Sequence, residues 1–157
     1  MHAVLTLALM IAQPAPKEKE REVKLDPFVA KAVEPDAKDT PLRKLQKERA
    51  RERAIAISHI KETLEVGGWQ PSFFHEFIKL RVTLAENLAE LMDKPADKVK
   101  CYEMRLDATK EFERFINIRV TTGNDPPQNL NLARAARIDA EIDLLKLKAE
   151  LEKAGKR

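Results

Sequence analysis

The sequence predicts an all-α protein built from long helices. Only 4 of the 157 residues are glycine, whereas alanine, leucine, glutamate, lysine and arginine dominate, which is typical of long helices with few loops. Apolar residues recur at alternating spacings of three and four, the period of one helix face. We therefore expect four long helices arranged as two antiparallel hairpins, either closed into a bundle or left as an extended pair, after a disordered N-terminal segment.

The N-terminus begins with a short apolar run. Residues 3–12 carry no charge and have the length of a signal-peptide core, which is short for a helix that spans a bilayer. We therefore expect residues 1–12 to be a signal peptide, which makes the chain secreted or periplasmic, with no transmembrane span after the signal is removed. No lysine or arginine precedes the run, so the alternative is an uncleaved end of a cytoplasmic protein.

Residues 13–39 are rich in proline and charge. The run 17–22 consists only of lysine, glutamate and arginine, and such a segment has too little apolar content to order itself. We expect a disordered linker here. Phe28 and Val29 are its only substantial apolar pair, which leaves docking on the helical domain or on a partner as the alternative.

Residues 40–157 form the expected helical domain. Thr40 and Pro41 suit an N-cap and a first helical position, and the glycine pair 67–68 suits a helix end. Further prolines at positions 71, 95 and 126–127 start new helices, since proline disfavours the helical conformation in the residue before it. The expected helices cover about 41–66, 71–92, 95–121 and 126–154.

Two of these helices carry matching apolar stripes. The stripe of the second helix consists of Phe74, Phe77, Arg81, Leu84, Leu88 and Leu91. The stripe of the fourth, 56 residues later at every position, consists of Leu130, Ala133, Arg137, Ala140, Leu144 and Leu147. The register favours one helical hairpin used twice; chance periodicity is the alternative. Each arginine either lays its stem over the core or holds a charge for a partner.

The fourth helix has a second apolar stripe beside the first. It consists of Ala135, Ile138, Ile142, Leu145 and Ala149. The apolar face is therefore wide enough to contact two neighbouring helices. A closed four-helix bundle would cover it within a monomer, whereas an open arrangement would leave it for another chain. Both alternatives, and with them the oligomeric state, stay open at the level of sequence.

The second half of the domain has a familiar pattern. Residues 105–119 form a helix, a turn follows at Thr122 and Gly123, and an alanine-rich helix continues with the segment 137–145. Over residues 50–152 this pattern resembles the periplasmic helical hairpins of TolC-like outer-membrane efflux proteins. No segment shows the ten-residue alternation of a membrane barrel strand. The resemblance implies a small exported helical module of the envelope and no catalytic residue.

Four side chains near the first hairpin turn are candidates for a metal site. His59 and Glu62 lie one turn apart on the first helix, and His75 and Glu76 begin the second. An antiparallel hairpin could bring the two imidazoles and two carboxylates together, and such a set suits zinc or copper. Solvated or edge-packed histidines are the favoured alternative, because no tight ligand motif is present, and no cofactor is expected.

Four of the chain's eight aromatic residues lie within nine positions at the same turn. They are Trp69, Phe73, Phe74 and Phe77. Large rings favour interfaces as well as cores. The cluster is therefore either a docking patch for a protein or membrane interface, or an apolar plug that closes the end of the helical domain.

Charge and motif content exclude several function classes. The net charge of +3 comes from interleaved acids and bases, and the basic residues between positions 43 and 53 alternate with glutamates, so a nucleic-acid groove is not expected. The chain has no phosphate-binding glycine loop and no nucleophile motif around Ser58, Ser72 or the single Cys101. We expect no enzymatic activity.

These observations favour a non-catalytic, exported helical module with an interaction or structural role in a bacterial envelope or periplasm. Its partner would be a protein, either a second copy or an envelope component. One alternative is a periplasmic helical protein that senses a metal or a small ligand. The other is a cytosolic coiled-coil adaptor whose apolar N-terminus is part of an interface.

Overall fold

The computed structural model describes residues 23–67 and 70–155. Within them all regular secondary structure is helical, with no strand, and the prediction of an all-α class is confirmed. The five helices are α1 (Pro27–Ala32), α2 (Pro41–Glu65), α3 (Pro71–Leu91), α4 (Pro95–Thr121) and α5 (Pro127–Gly155). None of the helices in this described part combines the length and apolarity needed to cross a bilayer. The expected signal peptide at 1–12 lies outside the described residues.

Every helix begins at a proline. Proline suits the first turn because its missing N–H would have no partner there and its φ already matches a helix. Asp26 caps α1 by accepting from the backbone N–H of Phe28, and Thr40 caps α2 by accepting from that of Arg43. Gly67 and Gly123, at φ 90° and 73°, provide the left-handed residues that follow α2 and α4. The bounds of α2 to α5 lie within one residue of those expected.

Helix α1 occupies part of the segment 13–39, for which the sequence predicts a disordered linker. Val29 and Val33 are buried in a cluster that also contains Leu84, Leu88 and Cys101. The Asp26 cap and the apolar residues around Val29 provide enough local and tertiary stabilisation to order this short helix. Of the expected linker, residues 13–22 lie outside the described residues.

The helices pack in chain order. α2 contacts α3, α3 contacts α4, and α4 contacts α5, while α1 lies against α2 and α3. Within residues 23–67 and 70–155, α5 contacts α4 alone. The longer helices therefore form an open array, and the closed bundle, one of the two arrangements that the sequence allows, is not observed.

Polar contacts between the helices show that neighbours run antiparallel. Arg49 of α2 binds Glu90 of α3 at 2.9 Å, and six residues earlier Arg43 binds Asp93 at 2.8 Å. The same reversal occurs between α4 and α5, where the ion pairs are Glu103–Lys148, Arg105–Asp143 and Glu113–Arg137. As the residue number increases along one helix, the residue number of its partner on the next helix decreases.

Several alanines are buried between the helices. Ala50 and Ala54 of α2 are buried, and so are Ala108 of α4 and Ala133 and Ala140 of α5. A methyl side chain allows two backbones to approach and leaves larger neighbours to fill the remaining space. The larger core residues lie mainly on α3, which has a neighbour on each side.

Asp39 connects the segment after α1 to α2. Its carboxylate accepts a hydrogen bond from Lys47 at 2.6 Å and from the backbone N–H of Asp36 at 2.9 Å, and Arg43 lies 3.4 Å away. The hydrogen bond from Lys47, followed by that from Asp36, lowers the pKa of Asp39 below its usual value. The ionised carboxylate therefore stabilises this connection.

We expect Asp39→Asn to reduce the stability of the protein at neutral pH and to matter less in acid. Because the native pKa of Asp39 is lowered, its ionised form adds stability above the unfolded pKa of about 3.9, and this contribution is lost as the pH falls through the native pKa. Urea unfolding of both chains at pH 7 and near pH 2 measures the effect. A difference between the chains that does not change with pH would contradict it.

Candidate interaction surface

The outer face of α5 is apolar and exposed. It consists of Ala135, Ile138, Ile142, Leu145 and Ala149, called the outer stripe below. Ile138, Ile142 and Leu145 are 45%, 41% and 60% exposed. The sequence predicts that the apolar face of α5 is wide enough to contact two neighbouring helices. Within the described residues, however, α5 contacts only α4. No helix of the described residues therefore covers the outer stripe.

The outer stripe lies opposite the face that packs on α4. Ala133, Ala140 and Leu144 are buried on that inner face, and at 100° per residue Ile138 and Ile142 fall on the far side of the helix from Ala140. Spacings of three and four keep the stripe in one line, as in the seam of a coiled coil. A line of aliphatic side chains on a surface is characteristic of an interaction site.

Mixed charges border the outer stripe on both sides. Asp139 and Lys146 lie along one border, and Glu141 and Lys148 lie along the other. Glu141 accepts a hydrogen bond from Arg137 at 2.8 Å, and Lys148 donates one to a carboxylate of α4 at 3.0 Å. Asp139 and Lys146 are exposed and have no ion pair or hydrogen bond to another side chain in the described part of the chain. The border with Asp139 and Lys146 thus offers one acid and one base to a partner, whereas Glu141 and Lys148 on the other border already bind side chains of their own chain.

The two stripe arginines act inside the chain. Arg81 of α3 binds Glu111 of α4, and Arg137 of α5 binds Glu113 of α4 at 2.6 Å. The guanidinium of Arg81 also lies 5.2 Å from the centroid of the Phe77 ring. Of the two interpretations that the sequence leaves open, these contacts favour side chains that cover the core. The two arginine side chains extend over α4, one from α3 and the other from α5.

The aromatic candidates divide between the core and the surface. Phe74 and Phe77 are buried, and the ring of Phe74 lies 4.1 Å from that of Phe115, centroid to centroid. Phe73 is 42% exposed, and Trp69 lies outside the described residues. Phe74 and Phe77 thus join α2, α3 and α4 at this end of the array, as the plug interpretation expects, while Phe73 lies outside the plug.

The four candidate metal ligands are exposed and do not form a site. His59 and Glu62 lie on α2, while His75 and Glu76 lie at the start of α3. His75 packs edge-on against Phe112, with ring centroids 5.2 Å apart. Across residues 23–67 and 70–155, no group of three or more histidine, cysteine or acidic side chains could hold a metal ion.

The basic residues of α2 bind α3. Arg43 donates to the carbonyl of Leu91, and Arg53 binds the buried amide of Asn87. With the Arg49 pair described above, three of the basic side chains between positions 43 and 53 connect the two helices. The sequence shows these charges but not their partners on α3.

Cys101 is an interior residue. Its side chain is fully buried beside Leu88, and burial raises the pKa of the thiol to about 11. The thiol is therefore protonated at neutral pH, whereas the thiolate is the reactive form.

A groove of about 510 Å³ runs along α3 between α2 and α4, next to the segment that leads into α1. Leu25, Ile57, Leu84 and Met104 provide apolar walls, and Lys61 is among its charged lining residues. The groove is open to solvent. The outer stripe has the simpler geometry for recognition, since it is continuous, straight and bordered by charges of both signs.

We expect Phe74→Ala to destabilise the protein by about 3–5 kcal/mol, because it removes a buried ring from the contact of three helices. Phe73→Ala is the matched control, and we expect it to cost less than about 1 kcal/mol because Phe73 is half exposed. Urea unfolding measures both. Equal losses for the two variants would show that the aromatic cluster does not divide into an interior and a surface part.

No family model, curated protein or solved structure matches the chain. These comparisons do not bear on the resemblance of residues 50–152 to TolC-like periplasmic hairpins, which stays a prediction. The surface of the array itself is therefore the basis for a functional proposal.

Proposed function

We propose that the protein is a non-catalytic, exported helical module that binds other protein through the outer stripe of α5, in the envelope or periplasm of a bacterium. The observation that carries the proposal is the position of this stripe. Ile138, Ile142 and Leu145 form one exposed line on the end helix of an open array.

The outer stripe has the form that a partner helix recognises. Exposed aliphatic residues scattered singly are common on protein surfaces. Here they repeat at helical spacing over about four turns, from Ala135 to Ala149, between two charged borders. An amphipathic helix packs on such a face through its own apolar seam, and the charged borders select the partner and its direction.

The arrangement of polar side chains supports a structural role. Arg49, Arg81, Arg105 and Arg137 each bind a carboxylate of a neighbouring helix. These charges fix the positions of the helices. The described polar groups thus connect the helices, and the buried Cys101 thiol is held in its unreactive form.

The proposal of export rests on residues 3–12, which lie outside the described residues. Their length and lack of charge are typical of the core of a signal peptide. The expected resemblance to periplasmic helical hairpins points to the same compartment. The array α2 to α5 would then be the exported module, with the outer stripe available to a second copy or to an envelope component.

A photoreactive phenylalanine analogue at position 142, in the outer stripe, should form covalent adducts with protein in native cells, because the side chain there lies at the proposed interface. The same analogue at position 48, an exposed site on α2, is the matched control and should form few adducts. Irradiation followed by denaturing electrophoresis measures both. Equal yields at the two positions would contradict the proposed face.

Export predicts that full-length expression in a bacterial host gives a periplasmic product that lacks about the first 12 residues. Fractionation followed by intact mass measurement checks this expectation. A full-length product confined to the cytoplasm would contradict export and would favour the cytosolic adaptor.

A further inference from the structure

We propose that the outer stripe of α5 binds the outer stripe of a second copy in the antiparallel direction, with the twofold axis passing between residues 143 and 144. This deepens the proposed interaction function and rests on it. The inference is based on the pairs of residues that a twofold axis at this point would bring together.

The apolar residues match in this register. The outer stripe follows the a and d positions of a heptad, in which Ile142 occupies an a position and Leu145 a d position. Antiparallel pairing about residues 143 and 144 places Ile142 against Leu145 of the second copy, and Ile138 against Ala149 of the second copy. The twofold repeats each contact, which gives four consecutive apolar layers.

The charges beside the stripe also match. In this register Asp139 faces Lys146 of the second copy on one border, and Glu141 faces Lys148 of the second copy on the other. The twofold doubles both pairs, so four opposite-charge pairs surround the apolar layers. Asp139 and Lys146 lack such a partner among the described residues of their own chain. Charges beside a helical seam set partner and direction in this way.

The neighbouring antiparallel register is disfavoured by the same charges. A shift of one heptad keeps four apolar layers but places Asp139 against Asp139 and Glu141 against Glu141 of the second copy. A parallel pair would place Glu141 against Lys146 and Arg134 against Asp139 of the second copy, but it also places Lys148 against Lys153 and Glu152 against Glu152. Like charges at such positions repel. The antiparallel register about residues 143 and 144 has none of these contacts.

The other end of the array is a poorer partner for the outer stripe. The face of α2 that points away from Ala50 carries Glu48, Glu52 and His59 together with Leu45, all exposed. Packing this face on the stripe would bury charged groups against aliphatic side chains, which is unfavourable without partners. An antiparallel α5 pair also continues the alternation of helix direction from α2 to α5. Two copies would form one continuous array.

The association should depend on concentration. The outer stripe spans about two heptads, whereas stable two-stranded coiled coils usually extend over three or four. The charge pairs are exposed, and each contributes little. We therefore expect a reversible dimer that sedimentation equilibrium detects over a range of protein concentrations, and that added salt weakens.

Charge reversal at two positions tests the register. Asp139→Lys alone places lysine against Lys146 of the second copy, and Lys146→Asp alone places aspartate against Asp139. Each single variant should therefore dimerise more weakly than the wild type, by roughly tenfold or more in Kd. An equimolar mixture of the two variants should dimerise again, because each then offers the charge that the other lacks. The double variant D139K/K146D should dimerise with itself.

The apolar layers are tested separately. Ile142→Ser should weaken dimerisation, whereas Leu45→Ser, which removes an exposed leucine from α2, should leave it unchanged. Circular dichroism and urea unfolding of each variant at low concentration confirm that the fold is retained, which is expected because all of these positions are exposed.

Three results would overturn the proposal. They are a wild-type chain that stays monomeric at every concentration, assembly beyond a dimer, and a mixture of the two single variants that fails to associate while the wild type does. None of these contradicts the interaction function itself. That function fails if position 142 forms no more adducts in cells than position 48 does, so the two failures are distinguishable.

Discussion

Serial packing is the constraint on which the rest of this structure depends. Among α2 to α5, each helix contacts only the helices next to it in the chain, and no contact between α2 and α5 closes the array within the described residues. Burial is therefore unequal. α3 has a helix on both sides and supplies most of the large buried side chains, whereas α5 has one neighbour and leaves its outer stripe exposed.

Charged contacts define how the helices align along this array. Apolar stripes alone allow neighbouring helices to slide, because leucines and alanines are similar to one another at successive turns. Glu111 and Glu113 of α4 bind arginines from α3 and α5 respectively. Arg105, between Glu86 and Asp143, connects the same three helices further along. Ion pairs of this kind contribute little free energy singly, but they favour one register over its neighbours.

The sequence patterns predicted the bounds of the helices better than they predicted which residues pack against each helix. The prolines and left-handed glycines define helix ends by local geometry, so the bounds of α2 to α5 could be read directly. Helix α1 could not, since the order of residues 27–32 depends on burial of Val29 and Val33 in a cluster formed with α2 and α3. The same limit applies to α5, because periodicity shows that a face is apolar without showing what covers it.

Of the candidate site residues, those with a local signal were the easier to interpret. Phe74 and Phe77 share the stripe of α3 with Leu84, and they are buried with it. The contacts of Arg49 and Arg53 with α3 had no such signal, because they depend on the alignment of two helices that are separate in sequence.

The position of α5 at the end of the array links recognition to local stability. In a serial array each helix is stabilised by its immediate neighbours, as in repeat proteins, so an end helix can detach while the others stay folded. α5 is such a helix, and it carries the outer stripe. Any molecule that covers the stripe supplies the neighbour that α5 lacks, so by mass action it suppresses fraying of this helix. Binding at the outer stripe and folding of α5 are therefore coupled equilibria.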